Sequence, residues 1–157
     1  MRHPVAPIDL TVKTISSIVL VLTAGFWLAS SFIHLALIPA AFLTVITLYC
    51  YLRAPVSYEL CGDGLTILFR VGSKRFGPVV RASPVEKSID RSIRLWGNGG
   101  LFAGTGIFWN GTWGIFRAYV TNSKPEGRVI VETKTGKVLV SPENPEDFIR
   151  VAEMQSG

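Results

Sequence analysis

Charge is what this sequence has least of. Only 17% of its 157 residues are Asp, Glu, Lys or Arg, against about 25% in ordinary soluble domains. Histidine and cysteine are scarce as well, with two of each. His3 lies near the N-terminus and His34 in an apolar run, so no histidine is left for a metal site or a nucleophile–base pair in the rest of the chain. Cys50 and Cys61 sit in such different settings that no disulfide framework is expected, in keeping with a reducing compartment. The ten carboxylates after Arg53 show no pairing that would mark acid–base chemistry. These shortages argue against an enzyme and against any cofactor.

The charge deficit is concentrated. Residues 14–52 are 39 consecutive positions without a charged side chain. One bilayer crossing takes about 20 apolar residues, so the run is twice too long for one span and long enough for two. The spacing predicts helices over residues 13–29 and 32–52, with a polar turn near Ser30 and Ser31. Trp27 beside the turn and Tyr49 and Tyr51 at the far end fall at the two levels where interfacial aromatics collect. Pro39 is expected to kink the second helix. A cleaved signal peptide would be followed by polar sequence, whereas apolar sequence resumes at Phe32. Arg2, Lys13 and Arg53 flank the pair and the turn carries no Lys or Arg. The positive-inside rule then predicts a multi-pass protein of the inner membrane with both termini cytoplasmic. The expected organisation is a tail over residues 1–12, a transmembrane hairpin over 13–52, and a β-domain over 55–154.

After Arg53 the hydrophobic period changes to two. Val56, Tyr58 and Leu60 alternate with polar residues, Gly62-Asp63-Gly64 is a tight-turn signal, and Leu65, Ile67, Phe69 and Val71 alternate again. Further strands are expected over residues 75–80, 89–95, 115–121, 128–133 and 137–140. Residues 97–114 hold seven glycines with Phe102, Phe108, Trp109 and Trp113 between them. That composition predicts strand pieces and turns with close backbone packing. No helix follows its glycines, and the Gly-x-x-x-x-Gly-Lys-Ser/Thr spacing of a phosphate loop is absent. The C-terminus predicts a helix with Asn144 as N-cap, Pro145 at its first position and Phe148, Val151 and Ala152 on its buried face.

The words Tyr58-Glu59-Leu60, Gly64-Leu65-Thr66-Ile67, Trp96-Gly97-Asn98-Gly99-Gly100-Leu101-Phe102, Gly106-Ile107-Phe108, Tyr119-Val120-Thr121 and Ser141-Pro142-Glu143-Asn144-Pro145-Glu146-Asp147-Phe148 span nearly all of the part after the helices. In this order, behind two hydrophobic helices, they resemble the bacterial pleckstrin-homology-like (PH domain) membrane protein family. The resemblance implies a membrane-anchored α+β fold: a seven-stranded, partly open β-barrel of two nearly orthogonal sheets, capped by the C-terminal helix. It also implies a binding module rather than a catalyst. Eukaryotic lipid-binding members use a basic motif on the first hairpin. Gly62-Asp63-Gly64 has none, so an inositol-phosphate function does not carry over.

Positive charge gathers in one region. Arg70, Lys74, Arg75, Arg81, Lys87, Arg91 and Arg94 face only Glu86 and Asp90, whereas residues 124–157 are about neutral. Lys74, Arg75, Arg81, Arg91 and Arg94 are the candidate contacts to anionic headgroups. The competing reading is an ordinary solvated face, because strand alternation splits Arg91 from Arg94. Phe108, Trp109 and Trp113 are candidate exposed aromatics for a peptide or lipid. No recognition helix or stacking platform is present, so nucleic acid is not an expected partner. The preferred function is a membrane-anchored scaffold or binding protein. The alternative is an accessory subunit of a membrane transporter or envelope enzyme, or a homo-oligomer, whose helices make the interface through Ser16, Ser17, Ala24, Ala36, Ala40 and Ala41.

Overall fold

The computed structural model describes residues 1–62, 64–85, 92–122 and 127–156. Strand β1 (Arg2–Pro4) leads into α1 (Leu10–Ser30), a 3-10 turn (His34–Ala36) and α2 (Leu37–Leu52). Then follow β2 (Pro55–Cys61), β3 (Gly64–Phe69), β4 (Ser73–Arg75), β5 (Val79–Pro84), β6 (Ile93–Gly99), β7 (Gly104–Asn110), β8 (Gly114–Val120), β9 (Val129–Thr133), β10 (Gly136–Val140) and α3 (Pro145–Ser156).

α1 begins where Asp9 accepts a hydrogen bond from the Val12 N–H at 2.9 Å, a side-chain N-cap. Its 21 residues reach about 31 Å at 1.5 Å per residue. α1, and the 3-10 turn together with α2 (His34–Leu52), are long and apolar enough to cross a membrane, and both stretches are largely uncovered. Leu20, Val21, Leu28, Ile38, Phe42 and Val45 are all exposed. α2 starts at Leu37, five residues later than the sequence predicts, so Pro39 lies in its first turn, where a missing N–H costs nothing.

The strands form two sheets, β1-β2-β3-β4 and β5-β9-β10-β8-β7-β6. The described residues thus hold ten strands rather than seven. The strand expected over residues 75–80 is two: β4 closes the first sheet and β5 opens the second. Gly77-Pro78 breaks the ladder between them, since proline has no N–H to donate. The start of the strand expected over 89–95 lies outside the described residues. A further strand comes from the N-terminal tail. β1 pairs antiparallel with β2, His3 opposite Tyr58. The Ala6 N–H donates to the Ser141 carbonyl at 2.8 Å, and Thr121 Oγ1 donates to the Ala6 carbonyl at 2.6 Å. The segment before α1 is stitched into the β-domain that follows α2.

The main core lies between the sheets and under α3. Tyr58, Leu60, Leu65 and Ile67 of the first sheet meet Val129, Val131, Val138 and Val140 of the second, all fully buried. Asn144 Oδ1 accepts from the Asp147 N–H at 3.2 Å, and Phe148, Val151 and Ala152 are buried; the expected cap and face are both present. A second cluster, Phe116, Ala118, Val120, Ile130 and Leu139, occupies the opposite face of the six-stranded sheet. In the glycine-rich region Gly97 pairs with Gly106 and Gly99 with Gly104. A Cβ on Gly106 would fall 2.2 Å from the Trp96 carbonyl oxygen, so β6 and β7 approach as only glycines allow.

Candidate functional site

The larger sheet is not fully covered by the smaller one. The main core draws on β5, β9 and β10 but takes nothing from β6 or β7. Along β8, alternation sends Phe116, Ala118 and Val120 to the second cluster and leaves Arg117 and Tyr119 on the other face. Thr105 and Ile107 of β7 pair with Tyr119 and Arg117 and extend that face. The end of α2 closes it from one side with Ile46, Tyr49 and Arg53, and β3 and β4 close it from another with Phe69 and Lys74. The result is a groove of about 1020 Å³.

Its lining is one-sided in charge. Arg53, Lys74, Arg94 and Arg117 line it, with no Asp or Glu among the described residues. Among the described residues the ion pairs Arg2–Glu59, His3–Asp147, Lys137–Glu132 and Arg150–Asp147 all lie elsewhere. Aromatic faces hold two of the groove cations instead. Lys74 Nζ stands 5.7 Å from the ring centres of both Phe76 and Tyr119, and the Arg53 guanidinium 5.7 Å from Phe69. Such contacts place a cation without neutralising it. The groove can accept an anionic group. No group of three or more His, Cys, Asp or Glu among the described residues could hold a metal ion.

The rim of the groove is built by an asparagine. Asn98 Nδ2 donates to the carbonyls of Leu101 and Ala103, and its Oδ1 accepts from the N–H groups of Gly100 and Leu101. This folds residues 99–103 into a loop that docks on the helices. The Phe102 N–H donates to Ser16 Oγ of α1 at 2.9 Å, and the Phe102 ring meets Tyr51 of α2 edge-on at 5.3 Å. Trp96 lies in strand β6.

Of the basic residues singled out from sequence, Lys74 and Arg94 line the groove. Arg75 follows Lys74 on β4 and projects outward, exposed. Arg81 is on β5, the opposite edge of the six-stranded sheet from Arg94 on β6. Five strand spacings separate those edges, about 24 Å. Arg91 lies outside the described residues. The aromatics Phe108, Trp109 and Trp113 do not enter the groove. Phe108 stacks on Phe116 at 5.8 Å, Trp113 packs against the second cluster under Lys137, and Trp109 is 43% exposed. Sequence reasoning missed Arg53 and Arg117 as groove residues. A signal for Arg117 was available: it shares a period-two face with Tyr119, opposite the apolar Phe116, Ala118 and Val120.

Two packed sheets with a terminal helix on their core define a PH-like domain behind two apolar helices. The sequence matches the family model of the bacterial PH domain over residues 56–155, and the chain belongs to that family. No curated protein and no solved structure matches the chain.

Proposed function

We propose that this chain is a membrane-anchored, non-catalytic binding protein. Its two helices cross the inner membrane as a hairpin, and its groove takes an anionic headgroup at the cytoplasmic face. The observation that carries the reading is the groove: four cations with no carboxylate among the described lining residues, beside the end of the stretch His34–Leu52, which is long and apolar enough to span a bilayer. The β1–β2 pairing supports the hairpin, because the residues before α1 and after α2 must lie on one side to bond. The positive-inside bias of Arg2, Lys13 and Arg53 makes that side cytoplasmic. The alternative in which the helices serve a partner protein is less favoured: Ser16 and Ala40, two of its small residues, are buried within this chain.

β1 belongs to the sheet, so the test uses the full chain rather than a fragment starting at Arg53. The protein in maltoside micelles is titrated calorimetrically with dihexanoyl-phosphatidylglycerol and with dihexanoyl-phosphatidylcholine. Each Lys or Arg facing anionic lipid is worth about 1 kcal/mol. Lys74→Gln, Arg94→Gln and Arg117→Gln together are expected to weaken the anionic lipid by about 3 kcal/mol, on the order of 100-fold in Kd. Equal binding of the zwitterionic lipid, or an unchanged Kd in the triple variant, rules the reading out.

A further inference from the structure

The β6–β7 turn reaches alongside both apolar helices rather than stopping at their ends. On α1, the Phe102 N–H meets Ser16 Oγ at 2.9 Å, and a Cβ on Gly100 would fall 3.2 Å from Ile15 Cδ1. On α2, Ile46 and Tyr49 line the groove together with Trp96, Leu101 and Ile107. Ser16 lies six residues inside the start of α1 and Ile46 six residues inside the end of α2, about 9 Å in each helix. The β-domain therefore overlaps the ends of both helices by nearly two turns.

That overlap leaves too little helix to fill a bilayer alone. Residues 17–30 reach about 21 Å and residues 34–45 about 18 Å, whereas the hydrocarbon core is about 30 Å thick. The shortfall, on the order of 10 Å, is close to the overlapped length. A bilayer of ordinary thickness thus reaches down to the strands packed on the helices. The surface it meets there is apolar. Trp96 is 78% exposed and Leu95 54%. Trp96, Ile107 and Arg117 form one row across β6, β7 and β8 on the groove face. An indole and a guanidinium at one level are what a membrane–water boundary accommodates.

We propose that the phospholipid interface covers this surface. The end of the β6–β7 hairpin is a third membrane-embedded element, with Trp96 and Leu95 at the boundary between headgroups and acyl chains. The inference rests on the membrane part of the proposed function and adds the depth at which the domain sits. One observation favours lipid over a second copy of the chain. β6 is an edge of its sheet among the described residues, but a bulge between Arg94 and Trp96 interrupts its ladder, and bulges blunt an edge against pairing with another strand. The depth is interfacial rather than central, because the edge N–H and C=O groups need water or headgroups beside them. The groove then opens at headgroup level, and its ligand enters sideways without leaving the bilayer.

The test uses the full chain in phosphatidylcholine nanodiscs, with 5-fluorotryptophan at its four tryptophan positions. Trp96→Phe, or Trp96→Tyr should the first fail to fold, assigns the Trp96 fluorine resonance, and Trp27→Phe assigns that of Trp27. Fluorine relaxation of the unsubstituted chain is then measured with 5-doxyl phosphatidylcholine in the disc and, separately, with a gadolinium chelate in the water. Trp27, near the far end of α1, is the reference within the bilayer; free 5-fluorotryptophan is the reference in water. The ratio of lipid to aqueous relaxation at Trp96 is expected within about threefold of that at Trp27, and at least fivefold above that of the free amino acid. A ratio near that of the free amino acid overturns the proposal. Protection of Trp96 from both agents overturns it too, and a second copy is then the cover if the protection vanishes at one chain per disc. If Trp27 meets lipid and Trp96 does not, this inference alone falls; if neither meets lipid, the membrane reading falls with it.

Discussion

Replacing Tyr58 by Phe removes one oxygen from the centre of the fold. Tyr58 is fully buried on β2. Its hydroxyl donates to the Tyr119 carbonyl on β8 at 2.6 Å and accepts from the Ser141 N–H at 3.2 Å. One phenol therefore bridges the two sheets and satisfies a backbone donor and a backbone acceptor. The ring itself, edge-on to Phe148 at 6.2 Å, is kept in the variant, so the loss is polar rather than a cavity. Leaving a buried backbone group unpaired costs roughly 1–3 kcal/mol. Two such groups, with partial relaxation, give roughly 2–4 kcal/mol. For a chain of this size that lowers Tm by roughly 6–12 °C, read by circular dichroism of the full chain in maltoside micelles. The same site predicts an alkaline limb. Burial pushes the Tyr58 hydroxyl up to about 12, with its bonds to Ser141 acting in the opposite direction. A phenol raised above its ordinary value of 10 contributes stability that is intact below pH 10. That stability is lost as pH rises toward 12, because the unfolded chain ionises first. Tyr58→Phe should therefore flatten the decline of Tm above pH 10. A Tm drop under 2 °C, or an unchanged alkaline slope, would refute the bridging argument.

Other outcomes follow from single residues. Burial lowers the His3 imidazole below its ordinary 6.5, with Asp147 at 3.7 Å opposing; stability is thus complete above pH 6.5 and falls below it, as the unfolded chain takes up the proton. His3→Gln should remove that part of the acid slope between pH 7.5 and 5, measured as Tm against pH. Ser16→Val strips the acceptor from the Phe102 N–H, and hydrogen exchange at that amide should quicken at least tenfold. Gly64→Ala should cost far more Tm than Gly72→Ala. Both glycines have positive φ, but a Cβ at Gly64 would sit 2.2 Å from the Phe76 carbonyl oxygen, whereas none would be met at Gly72.

Elements were legible where a local pattern carried them. The C-terminal helix was written in Asn144-Pro145-Glu146-Asp147 and the spacing of Phe148, Val151 and Ala152. The close-packed strands were written in the glycines of residues 97–114. The groove was only half legible: Lys74 and Arg94 drew attention as members of a basic run, but so did Arg75 and Arg81, which the fold sends elsewhere. Clustering along the chain is not clustering in space when strands 24 Å apart form the two edges of one sheet.

The sequence by itself determined the two apolar helices, the change from helical to period-two patterning after Arg53, and the family. Each depends on residue order within a short window, where periodicity and composition act directly. Only the tertiary structure decided that residues 2–4 are a strand, that Arg53 and Arg117 join Lys74 and Arg94 around one groove, and that Ser16 receives the Phe102 amide. The strand and the Ser16 bond depend on pairings between residues 53 to 86 positions apart. No local preference encodes such pairings; they follow from which faces the two sheets bury against each other and which they leave open.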